Sequence, residues 1–136
     1  MPAVSSFDYA VVRLVPHVER EEFINVGVIL FCRTRRCLVS RIELDQRRLT
    51  ALAPDFDLAR VQTHLDLIPR VCAGGSEAGP FAELNQAERF HWLVSPRSTV
   101  IQISPVHCGL CTDPEAALND LFDRLVNPAR PPDGST

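Results

Sequence analysis

The chain begins with long apolar runs rather than with apolar residues at helical spacing. Residues 23–31 are apolar except at Asn25 and Gly27, a composition typical of a strand that is covered on both faces. Residues 8–15 have alternating faces and predict a first strand. The connection between the two runs is short and polar, so the pattern predicts two neighbouring antiparallel strands.

A third strand follows a basic interruption. The segment Arg33–Arg36 breaks the apolar pattern, and alternation then resumes over residues 37–44. Residues 24–44 therefore predict a β-hairpin with a basic tip. The tip supplies three candidate partner-binding residues, Arg33, Arg35 and Arg36.

Helical periodicity appears in the middle and at the end of the chain. Asp45 is a suitable N-cap for a short helix that ends before Pro54. A longer helix follows with one buried apolar stripe, and Pro69 is expected to kink or end it. The last helix begins at Asp113, which is followed by a proline in the first helical position.

Two further β-rich runs, residues 89–94 and 98–103, predict a second hairpin, and Gly74–Pro80 has the composition of a loop. The sequence therefore predicts a single α+β domain over residues 1–128. We expect an antiparallel sheet of about five strands, arranged as two hairpin units, with helices packed on it. Residues 129–136 are rich in proline and predict a disordered tail.

Composition and charge narrow the function class. The chain has 136 residues, of which 46% are hydrophobic and 23% charged, so it can bury a core of its own. A net charge of −3 excludes a protein that binds nucleic acid with its whole surface. Neither a signal peptide nor a membrane-length apolar segment is recognisable, so we expect a cytoplasmic protein without a membrane partner. The usual cofactor motifs are missing, and no cofactor is expected.

Five cysteines are an odd number, and in a reducing compartment this favours free thiols over a disulfide framework. Cys32 and Cys37 flank the hairpin tip, while Cys108 and Cys111 form a C-x-x-C motif after His107. These four cysteines are weak candidates for a tetrahedral zinc site. Because one C-x-x-C without a second knuckle is a weak signal, free thiols without metal are the preferred interpretation.

Polar residues around the predicted second hairpin form a candidate ligand corner near the start of the last helix. Arg97, Ser95 and His107 are candidate anion-binding residues, because Arg97 can hold a phosphate or carboxylate with two hydrogen bonds. Ser98 and His107 are weak catalytic candidates. Serines next to a proline more often shape a turn, so enzymatic activity is uncertain and its absence is favoured.

Several stretches carry a family resemblance. Phe7–Pro16, Glu22–Leu30, Arg89–Ser98 and His107–Leu110 resemble the bacterial domain of unknown function 3037 family, and the resemblance spans residues 7–126. Members of that family are small stand-alone proteins, often encoded beside a HipA-like kinase, and have no established catalytic residues. The resemblance therefore implies a partner or regulator in a two-gene module that is similar to a toxin–antitoxin pair.

Three functions follow from these observations. The leading hypothesis is a non-enzymatic interaction or regulatory module that binds a protein partner, with a HipA-like kinase implied by the resemblance and the basic hairpin as contact. A small hydrolase or transferase acting on a phosphorylated or carboxylated substrate is the alternative, with Arg97, Ser98 and His107 in its pocket. Nucleic-acid binding through the arginine hairpin is the third. The sequence leaves the oligomeric state open.

Overall fold

The computed structural model describes residues 3–96 and 99–127, and within these ranges it contains five antiparallel strands and four α-helices. The strands are β1 (Ser5–Leu14), β2 (Ile24–Cys32), β3 (Cys37–Ile42), β4 (Ile101–Ile103) and β5 (His107–Cys111). The helices are α1 (Gln46–Leu52), α2 (Ala59–Ala73), α3 (Gln86–Val94) and α4 (Pro114–Leu125). The predicted α+β class and five-stranded antiparallel sheet are confirmed. The predicted tail over residues 129–136 lies outside the described residues.

β1 lies inside the sheet, whose order is β3-β2-β1-β4, and β5 pairs with the same edge of β1 as β4. β4 pairs with Val12–Leu14, and β5 pairs with Ser5–Tyr9. Between them, the Ser104 backbone N–H donates to the Val11 carbonyl at 2.9 Å, and its hydroxyl accepts from the Val11 N–H at 2.8 Å. The last two strands therefore form one interrupted edge of the sheet.

The predicted hairpin of β2 and β3 is confirmed, with Cys32 opposite Cys37 where the tip begins. Gly27 explains how closely these two strands approach. A Cβ atom at this position would lie 2.8 Å from the Arg41 carbonyl oxygen and would also meet the Ile42 side chain. The absence of a side chain is therefore a condition of this strand pairing.

The two faces of the sheet carry separate hydrophobic cores. The helices α2 and α3 cover one face, where the buried residues include Val12, Leu14, Ile29, Leu65 and Phe90. The helix α4 covers the other face, where they include Phe7, Val28, Leu30, Leu118 and Phe122. Both faces of β2 are thus buried, as its nearly continuous apolar run predicts. In the part of the chain that the structure describes, no helix combines the length and apolar character needed to cross a bilayer.

The predicted second hairpin is wrong, because residues 86–94 form the helix α3. A capping box begins this helix: Asn85 Oδ1 accepts from the Glu88 N–H at 2.8 Å, and Glu88 Oε1 accepts from the Asn85 N–H at 3.0 Å. Phe90 and Leu93 are buried at helical spacing. Their β-forming residue types suggested a strand, but the cap and the tertiary packing favour the helix. The fifth strand is β5 instead.

The helix boundaries follow the predicted caps with one difference. Asp45 accepts hydrogen bonds from the backbone of α1, and Asp113 caps α4 with Pro114 in its first turn. The helix α2 does not end at Pro69 but continues to Ala73. Pro69 lies on the exposed side of that helix.

Candidate functional site

The most exposed large hydrophobic residues of the described chain lie on β5 and next to the strands it involves. Leu110 of β5 is 74% exposed, Val4 just before β1 is 63% exposed, and Val106 just before β5 is 44% exposed. Residues 104–112 contain no Asp, Glu, Lys or Arg, whereas the opposite edge strand β3 carries Arg41. Soluble proteins usually protect sheet edges with charges, because an open edge pairs readily with another strand. β5 lacks this protection, so its backbone is available to a further strand.

A groove of about 750 Å³ separates β5 from α4. Phe7, Tyr9 and Gly109 lie on its β-sheet side, and Ala117 and Leu121 on its helical side. A Cβ atom on Gly109 would lie 2.7 Å from the Phe7 ring, so glycine is what allows this ring to pack against the β5 backbone. The groove therefore offers apolar surface directly beside the open strand edge.

The basic hairpin tip lies at the same end of the sheet. The Arg35 Nε donates to Ser5 Oγ at 3.1 Å, and its Nη2 donates to the Ala3 carbonyl. Ser5 in turn pairs with Cys111 of β5. Arg35 thus fastens the tip to the start of β1 rather than presenting its charge to a partner.

Arg33 and Arg36, the other two predicted partner-binding residues, are exposed. The Arg33 guanidinium lies 5.6 Å from the centre of the Phe31 ring, and the Arg36 backbone carbonyl accepts from Gln86. Neither guanidinium takes part in an ion pair with a described residue. Two positive charges therefore remain accessible at the end of the sheet where β5 finishes, although β1 lies between β5 and the strands of the hairpin.

Further arginines of the basic segment serve the packing of α4. The Arg41 guanidinium lies 4.1 Å from the centre of the Phe122 ring, and its Nη1 donates to Asn119 Oδ1 at 3.1 Å. The Arg48 Nη1 donates to the Val126 carbonyl at 3.2 Å. The basic segment is therefore divided between structural contacts and exposed charge, and does not form one continuous basic surface.

The structure describes only part of the predicted ligand corner, because Arg97 and Ser98 lie outside the described residues. Ser95 follows α3, and its hydroxyl donates to the His91 carbonyl at 2.7 Å, which is the turn-shaping role expected of such a serine. His107 begins β5, where it is exposed and its ring centre lies 5.5 Å from that of Tyr9. No described carboxylate orients this imidazole.

Three of the four candidate zinc ligands, Cys32, Cys37 and Cys111, lie near one another on the α4 side of the sheet, and Cys108 does not join them. Cys108 and Cys111 both lie on β5, and because successive side chains of a strand point to opposite faces, residues three apart cannot share a site. Burial raises the pKa of the Cys37 and Cys111 thiols, which disfavours the thiolate that zinc requires. Among the described residues, no group of three or more His, Cys, Asp or Glu side chains is placed to hold a metal ion.

A polar row crosses the α4 face of the sheet where that helix ends. Arg13 of β1 lies opposite Asn25 of β2 and Gln102 of β4. The Asn25 Nδ2 donates to the Leu125 carbonyl at 3.0 Å, and the Arg13 guanidinium lies 4.4 Å from the centre of the Phe23 ring. The Arg13 Nε and Asn25 Oδ1 atoms are buried and have no hydrogen-bond partner in the described chain. The sequence signal for this row is the presence of polar residues within otherwise apolar strands. The site residues predicted from the sequence did not include Arg13 or Asn25.

These features define a class, that of a small α+β domain whose antiparallel sheet is open along one uncharged edge. The chain belongs to the family described as "Protein of unknown function (DUF3037)", whose model matches residues 9–126. The family predicted from the resemblance is therefore confirmed. No curated protein and no solved structure matches the chain.

Proposed function

We propose that this protein is an interaction module that accepts an extended segment of a protein partner along the outer edge of β5. The observation that carries the proposal is the uncharged, unprotected edge of β5, on which the Leu110 side chain is 74% exposed. An added strand forms main-chain hydrogen bonds with such an edge, and its side chains alternate between the two faces. On one face they meet Leu110, and on the other they cover the groove beside α4.

The proposed partner is a HipA-like kinase, as the family resemblance implies, and the proposed role is regulatory rather than enzymatic. Arg33 and Arg36 are exposed at the end of the sheet where β5 finishes, with β1 between the hairpin and β5. Acidic residues of the partner that extend past this end of the sheet would meet positive charge. Support for a non-enzymatic role comes from His107, which is exposed and has no described carboxylate to orient it as a general base.

The test is co-expression of the tagged chain with a HipA-like kinase, followed by size-exclusion chromatography with light scattering. Leu110→Arg places a charge on β5 within the proposed interface. We expect the complex to weaken by at least about tenfold, since burying an unpaired charge costs more than about 1.4 kcal/mol. Thr63→Arg, on the exposed side of α2, is the matched control and should bind as the wild type does. Failure of the wild type to bind, or equal binding by both variants, would overturn the proposal.

The hydrolase or transferase and the nucleic-acid interpretations stay predictions. Arg97 and Ser98 lie outside the described residues, so the pocket of the enzyme hypothesis is not defined. The contacts of Arg35, Arg41 and Arg48 with the rest of the domain reduce the number of arginines that are available to phosphates. Neither interpretation gains an observation comparable to the open edge of β5.

A further inference from the structure

A half-buried arginine that has no acidic partner among the described residues lies in the polar row on the α4 face. Arg13 forms no ion pair or hydrogen bond with a described residue, and its Nε is shielded from solvent. Other shielded arginines are compensated: Arg89 donates to three carbonyls, and Arg48 donates to the end of α4. Shielded charges are normally paired, because desolvation without compensation is costly. Arg13 is therefore poised to bind an anion.

The surroundings of Arg13 hold its guanidinium in place. The Phe23 ring lies 4.4 Å away on one side and is itself 43% exposed, so the position is open to a ligand. Asn25 is the cross-strand neighbour, and its orientation is fixed because Nδ2 donates to Leu125. The Asn25 Oδ1 is thereby left as a buried acceptor for which the described residues supply no donor. The row combines a cationic donor with an unsatisfied acceptor on adjacent strands.

The electrostatics near the end of α4 also permit an anion. Carbonyl groups at a helix C-terminus carry partial negative charge and would oppose one. Here the Leu125 carbonyl accepts from Asn25 and the Val126 carbonyl accepts from Arg48. Glu43, a nearby acid on β3's side of the row, lies 3.8 Å from the Arg41 guanidinium. Asp45 lines the same pocket as Asn25 and Glu43, and its carboxylate accepts from the backbone N–H groups of Arg47 and Arg48. The opposing groups are thus engaged, while the described contact of the Arg13 guanidinium is with the Phe23 ring.

We propose that Arg13, Asn25 and Phe23 form a binding site for a phosphate-type oxyanion that also carries a hydroxyl donor. The guanidinium matches two oxygens of such an anion in a bidentate arrangement. The hydroxyl, which a monoprotonated phosphate group possesses, donates to Asn25 Oδ1. A carboxylate or sulfate is ionised and has no such donor, so it would satisfy Arg13 but leave Asn25 unpaired. This site is independent of the interaction edge of β5.

Titration of the ¹⁵N-labelled protein with inorganic phosphate, and separately with sulfate, tests the assignment by NMR. We expect saturable shifts of the amides of residues 12–14 and 24–26, with sulfate binding several-fold more weakly than phosphate. A phosphate monoester of a small alcohol, used as a third probe, distinguishes free phosphate from a phosphorylated metabolite as the better ligand. Shifts that are absent from these amides, or that do not saturate, would overturn the site, and equal affinity for sulfate would overturn the role of Asn25.

Variants separate binding from folding. Arg13→Met removes the charge and should weaken phosphate binding at least about tenfold, whereas Arg13→Lys keeps the charge without the bidentate geometry and should bind at an intermediate level. Arg60→Met, on the exposed side of α2, is the matched control and should bind as the wild type does. Equal phosphate affinity of Arg13→Met and Arg60→Met would refute the proposal. If Arg13→Met fails to fold, the phosphate affinity of Arg13→Lys relative to the wild type, together with the wild-type NMR shifts, decides whether Arg13 binds phosphate.

Discussion

Arg89 offers the sharpest test of what holds the helical layer together. Its side chain is buried, and the guanidinium donates to the carbonyls of Val71 at 2.6 Å, Cys72 at 3.1 Å and Leu84 at 3.2 Å. Val71 and Cys72 lie in the last turn of α2, where carbonyls lack partners within the helix. The positive charge is therefore compensated by helix-end dipoles and not by a carboxylate.

Replacing Arg89 by methionine keeps much of the side-chain volume but removes all three donors. Each buried carbonyl left without a partner costs about 1–3 kcal/mol, while the desolvation cost of the guanidinium disappears. We expect the free energy of unfolding to fall by about 2–4 kcal/mol in a urea titration. The exposed Arg60→Met control should change it by less than about 0.5 kcal/mol. A loss below about 1 kcal/mol for Arg89→Met would show that water reaches these carbonyls, and the reasoning would fail.

Two further predictions concern the same region. Gly74 and Gly75 both have positive φ, but a Cβ on Gly74 would lie 2.7 Å from Arg89 Nη1, whereas a Cβ on Gly75 would meet no atom within 4 Å. In urea titrations, Gly74→Ala should therefore lower the free energy of unfolding by about 1–2 kcal/mol more than Gly75→Ala does. Burial raises the pKa of Cys72 to about 11. The folded state therefore keeps this thiol protonated at pH values where the unfolded chain ionises it. This preference contributes up to about 3 kcal/mol to the free energy of unfolding below pH 9, and the contribution is lost as the pH rises to 11. Urea titrations of Cys72→Ala should therefore depend less on pH in this window; an unchanged slope would contradict the assignment.

The parts of the fold that the sequence predicted correctly are those marked by residues close together along the chain. The hairpin of β2 and β3 follows from two apolar runs around Arg33–Arg36, and α4 follows from an N-cap with proline after it. The error at α3 arose because Phe90, Trp92 and Val94 alternate as a strand would, whereas Asn85 and Glu88 form a cap that outweighs that pattern. β5 could not be recognised, because its small, glycine-containing segment becomes a strand only by pairing with β1.

The candidate site was less predictable for a different reason. Arg13 and Asn25 were visible in the sequence as polar residues within apolar strands, but their significance depends on atoms that are distant along the chain. The Asn25 amide bonds Leu125, which lies 100 residues away, and Arg13 meets Gln102 only because β4 returns to β1. Likewise, the open edge of β5 is a property of the sheet order and not of any local motif.

The two proposed surfaces lie toward opposite ends of β1, and this arrangement makes a final prediction. Leu110 is paired with Ser6, seven residues from Arg13, which corresponds to roughly 23 Å along a strand. Sites this far apart without shared contacts usually act additively. We therefore expect Arg13→Met to leave partner binding at β5 unchanged, and Leu110→Arg to leave phosphate binding unchanged, each within about twofold. The helix α4 begins after β5 and ends against Asn25, so reciprocal changes of equal size would refute independence and identify α4 as the coupling element.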